Sequence, residues 1–258
     1  ELVESSSMAS VEPPSVAKLP NLPQSTISSG ELSDAQLEAI AYAAQAHETV
    51  FEDGNRQGFF IGDGTGVGKG REIAGLILHN FREGRKKAIW ISEKKGLIKD
   101  ARRDLDGIGG KDIPIIDMVK NVAPPSGDGV AFMTYDGLKG NFNGLDSENK
   151  VRKQQETKAS RAESLVKWLG SDFDGVIALD EVHNAGNVIA VKGARGYTDP
   201  SQAALRVVDL QRLFPKARIL YVSATGATEP NNVAFAERLG LWGQGKAFSN
   251  VVKFYESI

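Results

Sequence analysis

The sequence predicts an α/β fold, a mostly parallel sheet with helices on both faces. Three observations point there. Short, uniformly apolar runs recur, as in Val176-Ile177-Ala178-Leu179 and Ile219-Leu220-Tyr221-Val222; strands that are apolar throughout are buried on both faces, as parallel sheets require. Segments with helical spacing of apolar residues separate those runs. Glycine supplies 28 of 258 residues, about 11% against a usual ~7%, which points to tight turns and anion-binding loops.

The elements follow in order. Residues 1–30 hold eight Ser, four Pro and one Gly with only four charged residues. Such a stretch has little to bury and is expected to be a flexible linker or tail. Residues 31–258 form the folded lobe. Ser33 with Gln36 three positions on is a capping box for a helix through about His47, with Leu37, Ile40 and Ala44 on one face. Gly58 to Ile61 is a strand; a glycine-rich loop and a helix through Ile73, Leu76 and Ile77 come next. Ala88 to Ile91 is a strand, followed by a basic helix to about Leu105. Ile113 to Ile116 is a weaker strand, placed at an edge by Pro114. Val130 to Met133 is a strand, residues 140–160 a polar loop, and a helix ends near Trp168. Pro200 to Leu213 is a helix between the last two apolar strands.

Composition excludes several classes. Cysteine is absent, so there is no disulfide framework, thiolate metal site or cysteine nucleophile. No apolar run reaches the roughly 18 residues of a membrane span, and no secretory signal pattern opens the chain. The net charge is −2, so affinity for nucleic acid has to come from a local patch. The chain opens on Glu1 rather than Met and reads as a piece of something longer. An intracellular location is expected, cytoplasmic for a bacterial or phage source and nuclear for a eukaryotic one.

Gly62-Asp63-Gly64-Thr65-Gly66-Val67-Gly68-Lys69-Gly70 lies between a strand and a helix, the context of a phosphate-binding P-loop or Walker A motif. Glycines let backbone N–H groups converge on an anion, and the helix adds its N-terminal dipole. Lys69 is expected to reach the β- and γ-phosphates of ATP. Asp63 stands where the first Gly is usual, and Gly70 where a Ser or Thr normally binds Mg²⁺. Water, Thr65 or weak metal binding could answer for that missing hydroxyl; a glycine turn with no ligand is the plain alternative.

Asp180-Glu181-Val182-His183 directly follows an apolar strand. Carboxylates there sit on the edge where open α/β sheets bind ligands. Asp180 is the expected Mg²⁺ partner, and Glu181 the group that orients and deprotonates water. His183 is either structural or a link to a neighbouring loop. Ser223-Ala224-Thr225 follows another apolar strand, and its hydroxyls could bond to the acids. Gln36 could read adenine through its paired donor and acceptor, or simply cap its helix; Arg56 has weaker support as a nucleotide contact. Residues 82–103 carry nine Lys or Arg and three acids, a local +6. That stretch is either a nucleic-acid surface on the P-loop edge or a solvated helix face.

A P-loop, then Asp-Glu-Val-His, then Ser-Ala-Thr resembles the first motor lobe of a superfamily 2 helicase with its DExH box. Residues 58–71, Gly70 included, look like the strawberry notch family, as do Leu32 to Ala39, Gly84 to Lys86, Asp172 to Ile177, Leu213 to Ala217, Ser223 to Pro230 and Leu239 to Gly243. The resemblance covers residues 31–258 and implies a RecA-like P-loop NTPase lobe. It makes Lys69, Asp180 and Glu181 catalytic, and Asp63 to Arg71 with Gln36 the nucleotide site. His183, Ser223, Ala224 and Thr225 become coupling residues. Ser92, Lys94, Thr134 and Tyr135 become contacts to DNA or RNA, joined by Lys95 and Lys99 from the basic stretch. Val182 stands where animal members carry Cys, and the 140–160 loop departs from their pattern; both suggest a bacterial or phage relative.

The resemblance implies an ATP- and Mg²⁺-dependent translocase or remodeller, with a second RecA-like lobe downstream of Ile258 that supplies arginines for catalysis. The fragment is then expected to be a monomer that binds ATP but hydrolyses it slowly. A different class of function, a nucleotide-bound scaffold that recruits proteins, is kept open by Gly70. A small-molecule kinase is disfavoured, because Asp-Glu-Val-His with Ser-Ala-Thr has no natural role there.

Overall fold

The computed structural model describes residues 12–64, 66–120, 125–138, 161–186, 188, 191–193, 196–224, 233–243 and 245–257. Along the chain these form α1 (Gln24–Ser28), α2 (Asp34–Ala46), β1 (Phe59–Ile61), α3 (Lys69–Arg82), β2 (Lys87–Ser92), α4 (Ile98–Gly107), β3 (Ile115–Asp117) and β4 (Gly129–Thr134). Then come α5 (Tyr135–Leu138), α6 (Arg161–Leu169), β5 (Val176–Asp180), β6 (Val191–Gly193), β7 (Gly196–Thr198), α7 (Gln202–Leu213), β8 (Arg218–Val222) and α8 (Val251–Glu256). Six strands make one sheet in the order β1-β8-β5-β2-β4-β3, and every pairing in it is parallel. β6 and β7 form a separate antiparallel hairpin.

The apolar runs are explained by two cores, one on each face. Ile89, Ile91, Ala131, Met133, Ile177, Leu179, Ile219 and Tyr221 point to one side, against the core residues of α5 and α7. Their alternating neighbours Ala88, Trp90, Val130, Phe132, Val176, Ala178, Leu220 and Val222 point to the other, against α2, α3 and α4. Side chains alternate along a strand, so a strand needing apolar residues at every position has both faces covered. β3 lies at the edge, as Pro114 implies; the proline precedes the strand and its carbonyl still accepts from the Val130 N–H at 2.8 Å. No helix among the described residues is long and apolar enough to cross a membrane.

The tail at residues 1–30 needs correction where it is described. Leu22 is buried, and Ile27 packs on the core with α3 and α4 residues. The Thr26 hydroxyl, wholly buried, donates to the Ile108 carbonyl at 2.8 Å, and the Asn21 N–H donates to His79 Nδ1 at 2.9 Å. A few apolar anchors plus these bonds order residues 21–28 despite their polar composition. The loop at 140–160 lies outside the described residues, as do residues 1–11.

The basic stretch also divides. Arg82, Arg85 and Lys86 precede β2 and Lys87 opens it, so they lie at the edge where strands begin, opposite the P-loop. Only the cations after Ser92 belong to the P-loop edge.

Just before β5, Gly175 packs too closely against β2 and Phe173 to leave room for a side chain. A Cβ on Gly175 would stand 2.2 Å from the Lys87 carbonyl oxygen and 2.7 Å from the Phe173 ring, whereas one on Gly96 would meet nothing within 4 Å. Gly175→Ala is expected to lower stability by about 1–3 kcal/mol through overpacking, and Gly96→Ala to leave it nearly unchanged. Scanning calorimetry of the two variants beside the native chain measures the difference; equal melting temperatures would contradict the packing.

Candidate functional site

Register sets the site. Ile61 pairs with Val222, Val222 with Asp180, Leu179 with Ile91, and Ser92 with Thr134. The C-terminal ends of β1, β8, β5, β2 and β4 therefore stand in one row, with the P-loop at one end of it. Gly66 and Gly68 have φ of 88° and 97°, a left-handed backbone that side chains other than glycine disfavour. The Cβ positions of Gly64 and Gly66 face open space, as a cradle for phosphate needs. Thr65 lies outside the described residues.

Lys69 opens α3 and is 9% exposed. Its Nζ donates to the Asp63 and Gly64 carbonyls at 3.2 and 3.3 Å and lies 4.0 Å from Glu181 Oε1. The ammonium thus closes the mouth of its own loop and bridges towards the acids of β5. Glu181 has φ 47°, the only positive φ among the described non-glycine residues. Such strain persists only where surrounding structure imposes it, and it turns this carboxylate back over the sheet edge. Asp180 is pushed above the ordinary carboxylate range, first by burial and then by the Glu181 charge; the Ser92 hydrogen bond and Lys69 pull it down.

Ser92, Thr134 and Tyr135 do not form a nucleic-acid surface. All three are buried: the Ser92 hydroxyl donates to Asp180 Oδ2 at 2.8 Å and the Tyr135 hydroxyl to the Asp180 carbonyl at 2.9 Å. Ser92 ends β2 and Tyr135 follows β4, and both hold the acid; Thr134 ends β4, buried beside Ser92. Burial and the nearby acids push the Tyr135 phenol well up, which keeps it a donor. Among the cations of this edge, Lys94 pairs with Glu93 at 2.5 Å, while Arg102 and Arg103 pair with acids of α4. Lys95 and Lys99 make no ion pair among the described residues.

His183 and Ser223 do come together, with Nδ1 2.8 Å from the serine oxygen and 3.5 Å from Glu181 Oε2. Ala224 follows beside them, and Thr225 lies outside the described residues.

Three expected nucleotide contacts are otherwise employed. Gln36 completes the capping box: its Oε1 accepts from the Ser33 N–H at 3.0 Å, and its Nε2 donates to the Val67 and Gly68 carbonyls at 2.9 and 3.3 Å. Of the two readings of Gln36, the cap is the one its amide makes, and the same amide is a strut beneath the P-loop. Arg71 donates to the Glu31 carbonyl and lies near Gly107 at the end of α4. Arg56 precedes β1, at the far edge of the sheet, and donates to the His47 and Lys216 carbonyls.

Gly70 gains a physical reason. A Cβ there would stand 2.2 Å from Asp104 Oδ2, so a side chain at residue 70 would require the Asp104 carboxylate of α4 to move. The close approach of α4 is thus one packing reason for glycine at this position. Among the described residues no group of three His, Asp or Glu is placed to hold a metal alone. Asp180 beside a phosphate cradle does fit a cation that arrives with nucleotide, since Mg²⁺ takes few protein ligands and completes its shell with phosphate and water.

The P-loop containing NTP hydrolase pore-1 family model matches residues 1–258. The chain is 46% identical to Protein strawberry notch of Drosophila melanogaster, over 100% of this chain and 15% of that protein. It is 43% identical to Protein strawberry notch homolog 1 of Homo sapiens, over 100% of this chain and 18% of that one. It is 41% identical to Protein FORGETTER 1 of Arabidopsis thaliana, over 98% and 19%. The chain spans a fifth or less of the length of these relatives. The fold is similar to a crystal structure of the DUF1998 helicase MrfA bound to DNA, with TM-score 0.50 and 18% identity over 93% of this chain and 31% of that one.

One site residue escaped the sequence. Glu72, in the first turn of α3, is wholly buried, and neither carboxyl oxygen has a hydrogen-bond partner. The signal was an acid heading the otherwise apolar run Ile73 to Ile77. Burial, then the neighbouring Asp63 carboxyl, push its pKa up to about 8, against the pull of Lys69. Folded protein thus keeps this proton to about pH 8, while an unfolded chain releases it near 4.5. The contribution to stability is full below pH 4.5 and is lost as pH rises through about 8. Glu72→Gln, neutral throughout, is expected to melt progressively higher than the native chain across that window. A melting-temperature difference that is flat in pH would contradict a protonated Glu72.

Proposed function

The chain belongs to the P-loop containing NTP hydrolase pore-1 family, and from that premise we propose that it binds ATP with Mg²⁺ and hydrolyses it as one lobe of a helicase-like nucleic-acid translocase or remodeller. The observation that carries this is the Lys69 ammonium 4.0 Å from the Glu181 carboxylate, across the row of strand ends. One belongs to an anion cradle and the other to the acid pair of β5. A terminal phosphate and its attacking water need a cation and a carboxylate at such a junction.

Each residue has a part. The backbone of Gly64 to Gly68 holds the phosphates, and Gln36 keeps that backbone in place from below. Lys69 exchanges the Asp63 and Gly64 carbonyls for phosphate oxygens, which makes its charge available without a large movement. Mg²⁺, when bound with the nucleotide, supplies neutralisation of phosphate charge, and Asp180 is the residue placed to hold it. Ser92 and Tyr135 fix Asp180 in position. Glu181 orients a water and accepts its proton. Such sites work mainly by positioning and charge stabilisation. A second lobe, supplying arginines, is part of the proposal, so this segment alone turns over slowly.

Nucleic acid is assigned to the loop after β2 and the first turn of α4, where Lys94, Lys95 and Lys99 lie on the same edge as the P-loop. The helicase of similar fold was solved on DNA, which favours the same ligand class.

Two measurements test the assignment. Lys69→Ala is expected to abolish ATP binding by calorimetry, and unchanged affinity would refute the site. Replacing Lys94, Lys95 and Lys99 together by Ala should flatten the dependence of log K on log salt for single-stranded DNA by about 2, from ~0.7 per phosphate contact. An unchanged slope would place the nucleic acid elsewhere.

A further inference from the structure

Four side chains join the cationic loop to the acid pair. Lys94 Nζ meets Glu93 Oε1 at 2.5 Å, and Glu93 Oε2 accepts from Asn184 Nδ2 at 3.2 Å. Asn184 Nδ2 also lies 3.2 Å from His183 Nε2. His183 Nδ1 then faces Ser223 Oγ at 2.8 Å and Glu181 Oε2 at 3.5 Å.

The chemistry of the donors settles the direction. A carboxylate only accepts, so the Asn184 atom against Glu93 is the NH₂ group. That same NH₂ meets His183 Nε2, which must then be the acceptor of the ring. In the neutral ring the proton is left on Nδ1, aimed at Ser223 and Glu181. His183 differs in this from the other two histidines of the chain. His47 Nε2 faces the Ile219 carbonyl, so it carries the proton, and His79 Nδ1 accepts from the Asn21 N–H, which leaves its proton on Nε2.

We propose that Asn184, held by Glu93, locks His183 in the Nδ1–H tautomer, and that a nucleic-acid phosphate on Lys94 loosens the lock and so retunes Glu181. With the proton on Nδ1, the ring presents an N–H to the Glu181 carboxylate and helps hold it in its left-handed conformation. With the proton on Nε2, the ring presents a lone pair to a negative charge. A phosphate that takes Lys94 leaves Glu93 with Asn184 alone. The amide then turns further towards Glu93 and gives up Nε2. Asn184 and Glu93 are positioning residues in this scheme, because they act on Glu181 through His183. The lever at Lys94 rests on the nucleic-acid function proposed above; the lock does not.

Ring ¹⁵N spectra of the intact protein, in alkaline buffer, distinguish the tautomers. Three histidines give a spectrum simple enough to assign through single replacements. The native protein should show Nδ1–H at His183 and Nε2–H at His47 and His79. Asn184→Asp, which puts an acceptor against Nε2, should exchange the two ring-nitrogen shifts of His183. Glu93→Gln keeps an acceptor for Asn184 and should preserve the native pattern, whereas Glu93→Ala should lose it. Native His183 in the Nε2–H form, or an Asn184→Asp spectrum like the native one, overturns the lock. Titration with a short oligothymidylate, with binding followed by fluorescence anisotropy, tests the lever. Binding that shifts His183 towards Nε2–H supports it, and binding without that shift overturns it. Absence of binding overturns the nucleic-acid function and the lever together, and the variant spectra still judge the lock.

Discussion

Parallel pairing of β5 between β8 and β2 is the constraint on which everything else in the site depends. It sets Asp180 level with Val222, and through Leu179 and Ile91 brings the end of β2 alongside. Because all six strands run one way, the turns that leave them gather on one edge. P-loop, acid pair, Ser223 and the loop after β2 converge without any of them being adjacent in sequence. The two apolar cores hold that row rigid, and a site positioned to tenths of an ångström needs such a support.

The same edge stores electrostatic tension. Asp180 is partly and Glu72 wholly buried, and burial is the largest cause of the upward shift in both. Glu181 adds a backbone strain that a glycine would relieve. These features are unfavourable for an empty fold. They become useful where a cation and a polyphosphate enter, because a desolvated acid and an inward-folded lysine gain more from opposite charge than solvated ones do. Breaches of local stability at residues that carry the proposed chemistry are what a functional site is expected to show.

Much of the scaffold was legible because it depends on local pattern. The runs at Ala88 to Ile91, Val130 to Met133, Val176 to Leu179 and Ile219 to Val222 announced strands covered on both faces. Ser33 and Gln36 announced a helix start that the structure shows as a full capping box. Residues 21–28 were misjudged because composition weighs polar residues and does not see where Thr26 donates. The hairpin at β6 and β7 and the short helices α1, α5 and α8 were missed, since segments of three to six residues carry too little periodicity to register.

At the site the division is sharper. By itself the sequence determined the kind of chemistry: glycines with a lysine between strand and helix, and acids at the end of an apolar strand. Those signals are short-range, set by backbone conformation and residue type. Only tertiary structure decided partners. It turned Gln36 under the P-loop, Arg71 towards Glu31, and Ser92 and Tyr135 onto Asp180, and it set Asp104 where a side chain at residue 70 would stand. Each of these contacts joins residues far apart in the chain, and sheet register and helix packing, to which a linear pattern is blind, choose among the many partners a polar side chain could take.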